Sequence, residues 1–228
     1  MNKTKRITAL LPMKANSTRV KGKNFKNLYG KPLFRWTLDT LLAVEEIDQV
    51  IINTDARHIL SDNGLVDTDR VTIRDRKPEI CGDHVSMNLV LSDDVKSVPS
   101  DIYIMTHTTN PLLSSDTLTA ALEVFRRELN DGSHDSLFSV TRHQTRFYNS
   151  DCTPINHDPA NLIPTQQLEP WFEENSCFYM FTAGSFLLTG ARIGLTPLMY
   201  EIPKIEAVDI DDQDDWYLAE ALMNLRSV

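Results

Sequence analysis

ITALLPMKANSTRVKGKNFKNLYGKPLF, residues 7–34, gives the strongest indication of the fold. It begins with a compact apolar run, residues 7–11, which Pro12 closes and which predicts a buried β-strand. A polar, lysine-rich loop over residues 14–31 follows. Residues 33–43 then carry apolar side chains at helical spacing. A strand, a loop and a helix in this order are typical of an α/β fold.

The rest of the chain continues this alternation. We predict strands at residues 49–53, 71–74, 101–106, 136–140 and 177–182, and helices at residues 57–62, 86–95, 117–129, 183–189 and 212–225. Strands that alternate with helices indicate a mostly parallel sheet flanked by helices. Ligands bind such sheets beyond the carboxyl ends of the strands. We therefore expect the functional site at the polar loops that follow Leu11, Asn53 and Thr106.

Size and composition exclude several classes of protein. The 228 residues suit a single domain, which we take as residues 1–228. The net charge of −9 argues against a nucleic-acid partner, since phosphate backbones select basic surfaces. The three cysteines form no CxxC pair, so neither a disulfide framework nor a zinc site is indicated. No apolar stretch is long enough to span a bilayer and the N-terminus lacks a secretory signal, so we expect a cytoplasmic protein without a membrane partner.

The pattern weakens between residues 141 and 175, where four prolines interrupt a mostly polar segment. We interpret this segment as an excursion from the core, either a lid over the site or an arm that reaches a partner subunit. Large apolar side chains, Trp171 and Phe172, lie near its end. Exposed aromatic residues often mark a subunit interface.

The loop after the first strand carries several cations. Lys14, Arg19, Lys21 and Lys23 lie within it, and Ser17 and Asn24 add hydrogen-bonding groups. A triphosphate needs cations and donors that converge from one loop, and this loop supplies them. It is neither a Walker A loop nor a GxGxxG fingerprint, and its composition alone is more typical of a solvated basic loop. Its place at the end of a strand favours phosphate binding.

Asp209 and Asp211 are candidate metal ligands. In an extended segment, side chains two residues apart project to the same side, so both carboxylates can face one cation. Mg²⁺ takes carboxylates together with substrate phosphates and water. The alternative is a solvated helix start, where aspartates suit the helix dipole, and we assign that role to Asp212, Asp214 and Asp215.

These motifs, in this order, resemble the cytidylyltransferases that make CMP-activated acidic sugars, above all the acylneuraminate cytidylyltransferases. That family follows its first strand with P-A-R-x-x-S-x-x-x-x-x-K-N and then G-K-P-L. The positions that match are Pro12, Lys14, Ser17, Lys23, Asn24 and residues 30–33. Lys14 stands in place of an arginine and lacks its planar fork. Residues 53–55, 76–86, 109–112, 174–179 and 206–211 resemble further family segments.

The resemblance implies a Rossmann-like nucleotidyltransferase fold with a protruding dimerisation arm, and hence a homodimer. It also implies transfer from CTP to a small acidic acceptor with release of pyrophosphate, and Mg²⁺ (or Mn²⁺) as cofactor, held by Asp209 and Asp211. Lys23, Arg19 and Asp211 would be the catalytic residues. The nucleotide would be bound by Lys14, Ser17 and Asn24 at the phosphates and by Arg76 and Ser86 at the cytosine and ribose.

The acceptor side departs from the sialic-acid pattern. The candidate acceptor-binding residues are His107, Thr109, Asn110 and Gln166, and of these His107 replaces a usual Gln and Asn110 a usual Ser. His107 is equally compatible with a neutral strand-end histidine bonded to the backbone. The acceptor could be sialic acid, a related nonulosonic acid, another acidic or phosphonate compound, or 3-deoxy-manno-octulosonic acid, whose enzymes share the Ser17-Thr18-Arg19 motif. A non-catalytic nucleotide-binding subunit is disfavoured by Lys23, Asp209 and Asp211.

Overall fold

The computed structural model describes residues 5–15, 17 and 19–226. Residues 1–4, Asn16, Thr18 and residues 227–228 lie outside the described residues, and so does the middle of the Ser17-Thr18-Arg19 motif. Every strand and helix predicted above forms, with ends that differ by a few residues. The strands are β1 (Ile7–Leu10), β2 (Asn27–Leu28), β3 (Lys31–Pro32), β4 (Gln49–Thr54), β5 (Val71–Asp75), β6 (Ile102–Thr106), β7 (Ser136–His143), β8 (Trp171–Thr182) and β9 (Pro197–Glu201).

Seven of these strands form one sheet in the order β5-β4-β1-β6-β8-β7-β9. The pairs β5–β4, β4–β1, β1–β6 and β7–β9 are parallel, and β8 runs antiparallel to both β6 and β7. The mostly parallel sheet predicted from the sequence is therefore confirmed. It places the carboxyl ends of β4, β1 and β6 side by side at one edge.

Helices cover both faces of the sheet. They are α1 (Leu33–Ala43), α2 (Arg57–Asp62), α3 (Met87–Ser97), α4 (Ser115–Asp131), α5 (Ala183–Thr189) and α6 (Gln213–Arg226). Alternate residues of β1 point to opposite faces: Ile7 and Ala9 pack with α1 and α4, whereas Leu10 packs with α3 and α5. Among the described helices none is long and apolar enough to cross a membrane, and all three cysteines are free thiols.

A third apolar cluster ties α6 to the loop after β1. Trp216 of α6 is buried there with Val20 and Leu28 of the loop and with Ile210, which precedes the helix. This packing holds the C-terminal helix against the loop that follows the first strand. As a result, the aspartates at 209 and 211 lie against a loop almost 190 residues away in sequence.

The weakly patterned segment contains more regular structure than its sequence indicates. β7 continues to His143 and β8 begins at Trp171, so the two strands extend as an antiparallel pair from Val140↔Glu174 to His143↔Trp171 beyond a β-bulge. The irregular part of the predicted excursion is thereby reduced to residues 144–170. The sequence prediction also lacked β2, β3 and β9, which are short or lie at the sheet edge with alternating exposed side chains.

Candidate active site

A cavity of about 470 Å³ lies at the carboxyl ends of β1 and β6. Its volume is in the range of small-ligand sites. At one wall of the cavity, the amide of Met13 donates to the carbonyl of Asn53 at 3.1 Å. This hydrogen bond continues the β1–β4 pairing past the end of β1. The residues that line it are Pro12, Met13, Lys14, Ser17, Arg19, Lys23, Asn24, Arg76, Asp83, Met87, His107, Thr108, Thr109, Ser176, Arg192, Asp209 and Asp211.

Most of the residues singled out in the sequence meet in this cavity. Those that line it are Lys14, Ser17, Arg19, Lys23, Asn24, Arg76, His107, Thr109, Asp209 and Asp211. Lys23 and Asp209 therefore face the same space although they come from opposite ends of the chain. This meeting requires both the sheet order and the packing of α6 on the loop.

Lys23 and Arg19 converge on Asp211. Lys23 is only 8% exposed, and its Nζ donates to the carbonyl of Ile210 at 2.6 Å and lies 3.5 Å from Asp211 Oδ1. Arg19 Nη2 donates to the same carboxylate oxygen at 2.7 Å. Gly22 adopts a left-handed conformation, with φ of 62°, immediately before the short 3₁₀ turn Lys23–Phe25 that carries the lysine. The left-handed conformation of Gly22 thus sets the position of the turn from which Lys23 contacts Asp211.

Asp209 fits one side of a cation site. Its Oδ1 is buried and has no hydrogen-bond partner among the described residues. Burial raises the pKa of Asp209, and the negative charge of Asp211 raises it further. A hydrogen bond from the Thr109 side chain acts in the opposite direction and lowers this pKa. Buried carboxylate oxygens are normally paired, so an unpaired one beside a second carboxylate suits a divalent ion.

Protein ligands alone would not complete such a site. Among the described residues no group of three or more His, Cys, Asp or Glu side chains could hold a metal. Mg²⁺ commonly takes one or two carboxylates and completes its shell with phosphate oxygens and water. The pair Asp209 and Asp211 therefore fits a metal that arrives with a phosphate ligand.

Asn24 joins the loop to the end of β6. Its Nδ2 donates to the carbonyl of Lys14 at 2.9 Å, and its Oδ1 accepts from Thr108 Oγ1 at 2.7 Å. Lys14 also lines the cavity, and its Nζ contacts Asp83 at 2.8 Å, with both side chains partly exposed. Exposed pairs of this kind are weak and open readily. Lys14 is therefore available to bind an anion, whereas the Asn24 amide is used in hydrogen bonds that hold the loop against the end of β6.

Arg76 is held rigidly beside the base of the loop. Its Nε donates to Asn53 Oδ1 at 2.9 Å, and its Nη2 donates to the carbonyls of Asn53 and Met13 at 2.7 and 3.2 Å. Asn53 in turn donates to the buried carboxylate of Asp94 at 2.8 Å, and Asp94 also contacts Arg74. Burial lowers the pKa of Arg76, which as an arginine still keeps its charge. The guanidinium is thus a fixed group at the cavity wall.

His107 is uncharged at neutral pH. Burial lowers its pKa to about 4, and the nearby cations Arg192 and Lys23 act in the same direction. Its Nε2 lies 3.5 Å from Arg192 Nη1. A neutral ring can accept a hydrogen bond there, so His107 offers the cavity a polar but uncharged wall.

Arg192 is the main residue that the sequence reasoning missed. It follows α5 in a short turn, where its Nη2 lies 3.3 Å from Glu174 Oε1 and its guanidinium carbon lies 3.8 Å from the centre of the Tyr179 ring. The turn is anchored by Asp135, whose carboxylate accepts from the amides of Leu195 and Thr196 at 2.8 and 3.1 Å. A single arginine in an irregular turn gives no periodic signal. Thr108 and Ser176 also line the cavity and were not predicted.

Three predicted residues are not brought to the cavity. Ser86 is exposed and caps α3, accepting from the amide of Asn88 at 3.3 Å. Asn110 is fully buried, and its Nδ2 points to the carbonyl of Val208 at 3.4 Å, where it braces the segment before Asp209. Gln166 lies in the short turn Thr165–Gln167, and its carbonyl accepts from Gln144 Nε2 at 2.9 Å. Each of the three takes part in a hydrogen bond outside the cavity lining.

Comparison with known proteins gives a consistent result. The family model described as cytidylyltransferase matches residues 8–201. N-acylneuraminate cytidylyltransferase A of Danio rerio is 27% identical over 226 residues, which covers 96% of this chain and 51% of that protein. CMP-N,N'-diacetyllegionaminic acid synthase of Legionella pneumophila is 26% identical over 245 residues, covering 96% and 97%. The chain thus spans about half the length of some curated relatives and nearly all of another.

The fold is also shared with a solved structure of CMP:2-keto-3-deoxy-manno-octonic acid synthetase complexed with CTP. The TM-score is 0.68 at 15% sequence identity, with 97% of this chain and 99% of that chain covered. At this identity the likeness concerns the fold.

Proposed function

The chain belongs to the cytidylyltransferase family, and we propose that it transfers the cytidylyl group of CTP to a small acidic sugar and releases pyrophosphate. One observation carries the proposal: the cationic loop after β1 and the carboxylates of Asp209 and Asp211 line one cavity. Cations that can hold a triphosphate and carboxylates that can hold a divalent ion are the two requirements of this chemistry.

The reaction is a displacement at the α-phosphorus of CTP. A hydroxyl oxygen of the acceptor forms a bond to this phosphorus, the bond from the phosphorus to the oxygen shared with the β-phosphate breaks, and pyrophosphate leaves. The hydroxyl proton passes to solvent. The residues contribute chiefly by alignment and by neutralising phosphate charge. Lys23, which is buried and directed by the carbonyl of Ile210, is the residue we assign to the leaving pyrophosphate.

Further roles follow from the position of each side chain. Arg19 and Lys14 contact carboxylates that are partly exposed, so both can exchange these for phosphate oxygens. Arg76, fixed by Asn53 and by two carbonyls, is the candidate for contacts with the pyrimidine. Asp209 and Asp211 would hold Mg²⁺ or Mn²⁺, which when bound neutralises negative charge on the phosphates.

The acceptor is proposed to be a nonulosonic acid of the sialic or legionaminic type. The two curated relatives described above are named for such acids and align with nearly the whole chain. A 3-deoxy-manno-octulosonic acid acceptor is the alternative, since a synthetase for that sugar shares the fold. Acidic phosphonates are a further alternative.

We propose that the protein is a homodimer formed through the arm, which we define as residues 141–175. Trp171 and Phe172 are each about two-fifths exposed, and Phe147 stacks on Trp171 at a ring distance of 5.3 Å. Exposed aromatic side chains on an extended element are typical of subunit interfaces. Sedimentation of the wild type and of Phe172→Ser tests this. A wild-type monomer at micromolar concentration contradicts it.

Pyrophosphate release tests the proposed activity. The purified protein is assayed with CTP and Mg²⁺ against sialic, legionaminic and 3-deoxy-manno-octulosonic acids and an aminoalkylphosphonate, with UTP as the control nucleotide. Turnover with CTP and one sugar acid is expected, and Asp211→Asn should reduce it by about 100-fold or more. Asp214→Asn is the matched control, because Asp214 is exposed and lies outside the cavity lining.

The assay also separates the rival classes. Tight CTP binding without pyrophosphate release for any acceptor would indicate a nucleotide-binding protein without catalytic activity. Release with the phosphonate alone would move the acceptor outside the sugar acids.

A further inference from the structure

The cations of the cavity come from two separate places. Lys14, Arg19 and Lys23 belong to the loop that follows β1, whereas Arg192 belongs to the turn after α5 and lies on Tyr179 of β8. In the sheet, β6 separates β1 from β8. The cavity therefore has a cationic group at a position distinct from the loop that we assign to the triphosphate.

Arg192 is held in a defined orientation. Its guanidinium stacks on the Tyr179 ring at 3.8 Å, its Nη2 lies 3.3 Å from Glu174 Oε1, and its Nη1 lies 3.5 Å from His107 Nε2. The Arg192 side chain is 20% exposed. A stacked, partly buried guanidinium presents its edge in a fixed plane, which is the geometry in which arginine recognises carboxylates.

The contacts of Arg192 leave it able to bind an anion. A guanidinium has five N–H donors, and the contacts to Glu174 and His107 are both long for hydrogen bonds. Glu174 also accepts from the Tyr179 hydroxyl, so its charge is shared between two donors. His107 carries no positive charge at neutral pH and does not compete for an anion.

No alternative cation comes from the segment that includes Gln166. Residues 165–167, Thr-Gln-Gln, contain no arginine or lysine and do not line the cavity. Glu174, which pairs with Arg192, repels an anion in proportion to its charge, so a single negative charge suits this guanidinium better than a polyphosphate. A lone carboxylate is the matching ligand.

We propose that Arg192 binds the carboxylate of the acidic acceptor and so makes the enzyme select sugar acids over neutral sugars. This inference rests on the proposed function, since it concerns the acceptor of the same cavity. It assigns Arg192 to substrate binding, with Tyr179 and Glu174 as the groups that position it. His107 adds an uncharged wall beside the carboxylate.

A cycle of two enzymes and two acceptors tests the proposal. The wild type and Arg192→Gln are each assayed with CTP, Mg²⁺ and either the sugar acid that the wild type uses best or the carboxamide of that acid. Arg192→Gln is expected to lower kcat/KM for the acid by about 10- to 100-fold, mainly through the acceptor KM. The KM for CTP should stay within about twofold, and kcat/KM for the carboxamide should not change, because that acceptor has no charge to lose.

Two further variants make the result specific. Arg192→Lys keeps the charge and a partner for Glu174 but lacks the fork, so it should recover only part of the activity with the acid. Arg127→Gln, an exposed arginine of α4 that pairs with Glu128, is the matched control and should behave as the wild type.

The outcomes are distinguishable. Equal losses for the acid and the carboxamide, or no loss for either, would overturn the role of Arg192 while leaving the proposed function intact. A wild type that turns over no sugar acid would overturn the proposed function and this inference with it.

Discussion

Arg19 Nη2 donates to Asp211 Oδ1 at 2.7 Å, although the two residues lie 192 positions apart in the chain. The same carboxylate oxygen is 3.5 Å from Lys23 Nζ. Asp211, one of the two candidate metal ligands, is therefore already paired with Arg19 and Lys23, the cations that we assign to the triphosphate. Phosphate oxygens that draw Arg19 and Lys23 away would free Asp211, so we expect metal and nucleotide to bind better together than alone.

Replacing Arg19 with alanine should strengthen metal binding in the absence of nucleotide. Without the exposed Arg19 guanidinium, one fewer cation competes with Mn²⁺ for the Asp211 carboxylate. The affinity for Mn²⁺ should therefore rise about two- to fivefold, as for loss of an exposed ion pair. Electron paramagnetic resonance titration of Mn²⁺ without CTP measures this. Lys21→Ala, in the same loop but outside the cavity lining, controls for the change in net charge. Equal affinities in the two variants would contradict the competition.

Replacing Lys23 with alanine should impair catalysis strongly. Its ammonium is buried and directed by the carbonyl of Ile210, and we expect kcat/KM for CTP to fall by about 100-fold or more. Steady-state kinetics measure the effect, and a melting curve verifies the fold. Lys26→Ala is the matched control, because the Lys26 ammonium lies over the Trp216 ring, 4.0 Å from its centre, and outside the lining. Unchanged kinetics in Lys23→Ala would remove the loop from the reaction.

Replacing Gly194 with alanine should destabilise the turn that carries Arg192. An added Cβ would clash with the carboxylate of Asp135, and moving this carboxylate would break its bonds to the amides of Leu195 and Thr196. We expect a loss of about 1–3 kcal/mol in the free energy of unfolding, measured by urea denaturation. In an Asp135→Ala background the same substitution should cost much less. Equal costs in both backgrounds would show that the contact with Asp135 is not the cause.

The buried Asp94 should make stability fall as pH rises. Burial raises its pKa from 3.8 to about 6, although the contacts with Asn53 and Arg74 act to lower it. Between pH 3.8 and about pH 6 the folded state therefore binds more protons than the unfolded state. Asp94→Asn does not titrate. Its free energy of unfolding relative to the wild type should therefore increase by about 3 kcal/mol from about pH 4 to pH 7, in urea denaturation at a series of pH values.

The neighbouring Asp93 provides a control of opposite sign. Burial acts to raise its pKa, but Lys77 and Arg74 together lower it below the ordinary value. Its charged form therefore stabilises the fold, and that stabilisation is lost as pH falls. Asp93→Asn should become less stable relative to the wild type as pH rises. The same slope for both variants would contradict the assignment of these two carboxylates.

Local pattern in the sequence was sufficient for six strands of the sheet and for its helices. The apolar run at residues 7–11 and those at 49–53 and 101–106 form adjacent strands, because a run of this kind is stable only when buried on both faces. It was not sufficient for β9, an edge strand with alternate side chains in solvent, or for the paired part of the arm. There the strands are fixed by neighbours distant in sequence.

The candidate site divides in the same way. Parallel strands have their carboxyl ends at one edge, so the alternation of strands and helices predicted that the loop of Lys23 and the segment of His107 lie at the same edge. Whether a predicted side chain enters the cavity depended on its hydrogen bonds: Asn110 turns to the carbonyl of Val208, 98 residues away in sequence, and Ser86 caps α3. The periodicity of the sequence does not indicate which side chains enter the cavity.

Periodicity and connectivity are properties of neighbouring residues. The layered α/β architecture, the edge at which the site lies and the two charged motifs there could therefore be predicted from the amino-acid sequence. The folded chain was needed to show that Arg19 and Lys23 both contact Asp211 and that Arg192 lines the same cavity. Those contacts depend on the order of strands in the sheet and on the packing of α6 against the loop after β1. They join residues far apart in the chain, and no local pattern encodes a distance of that kind.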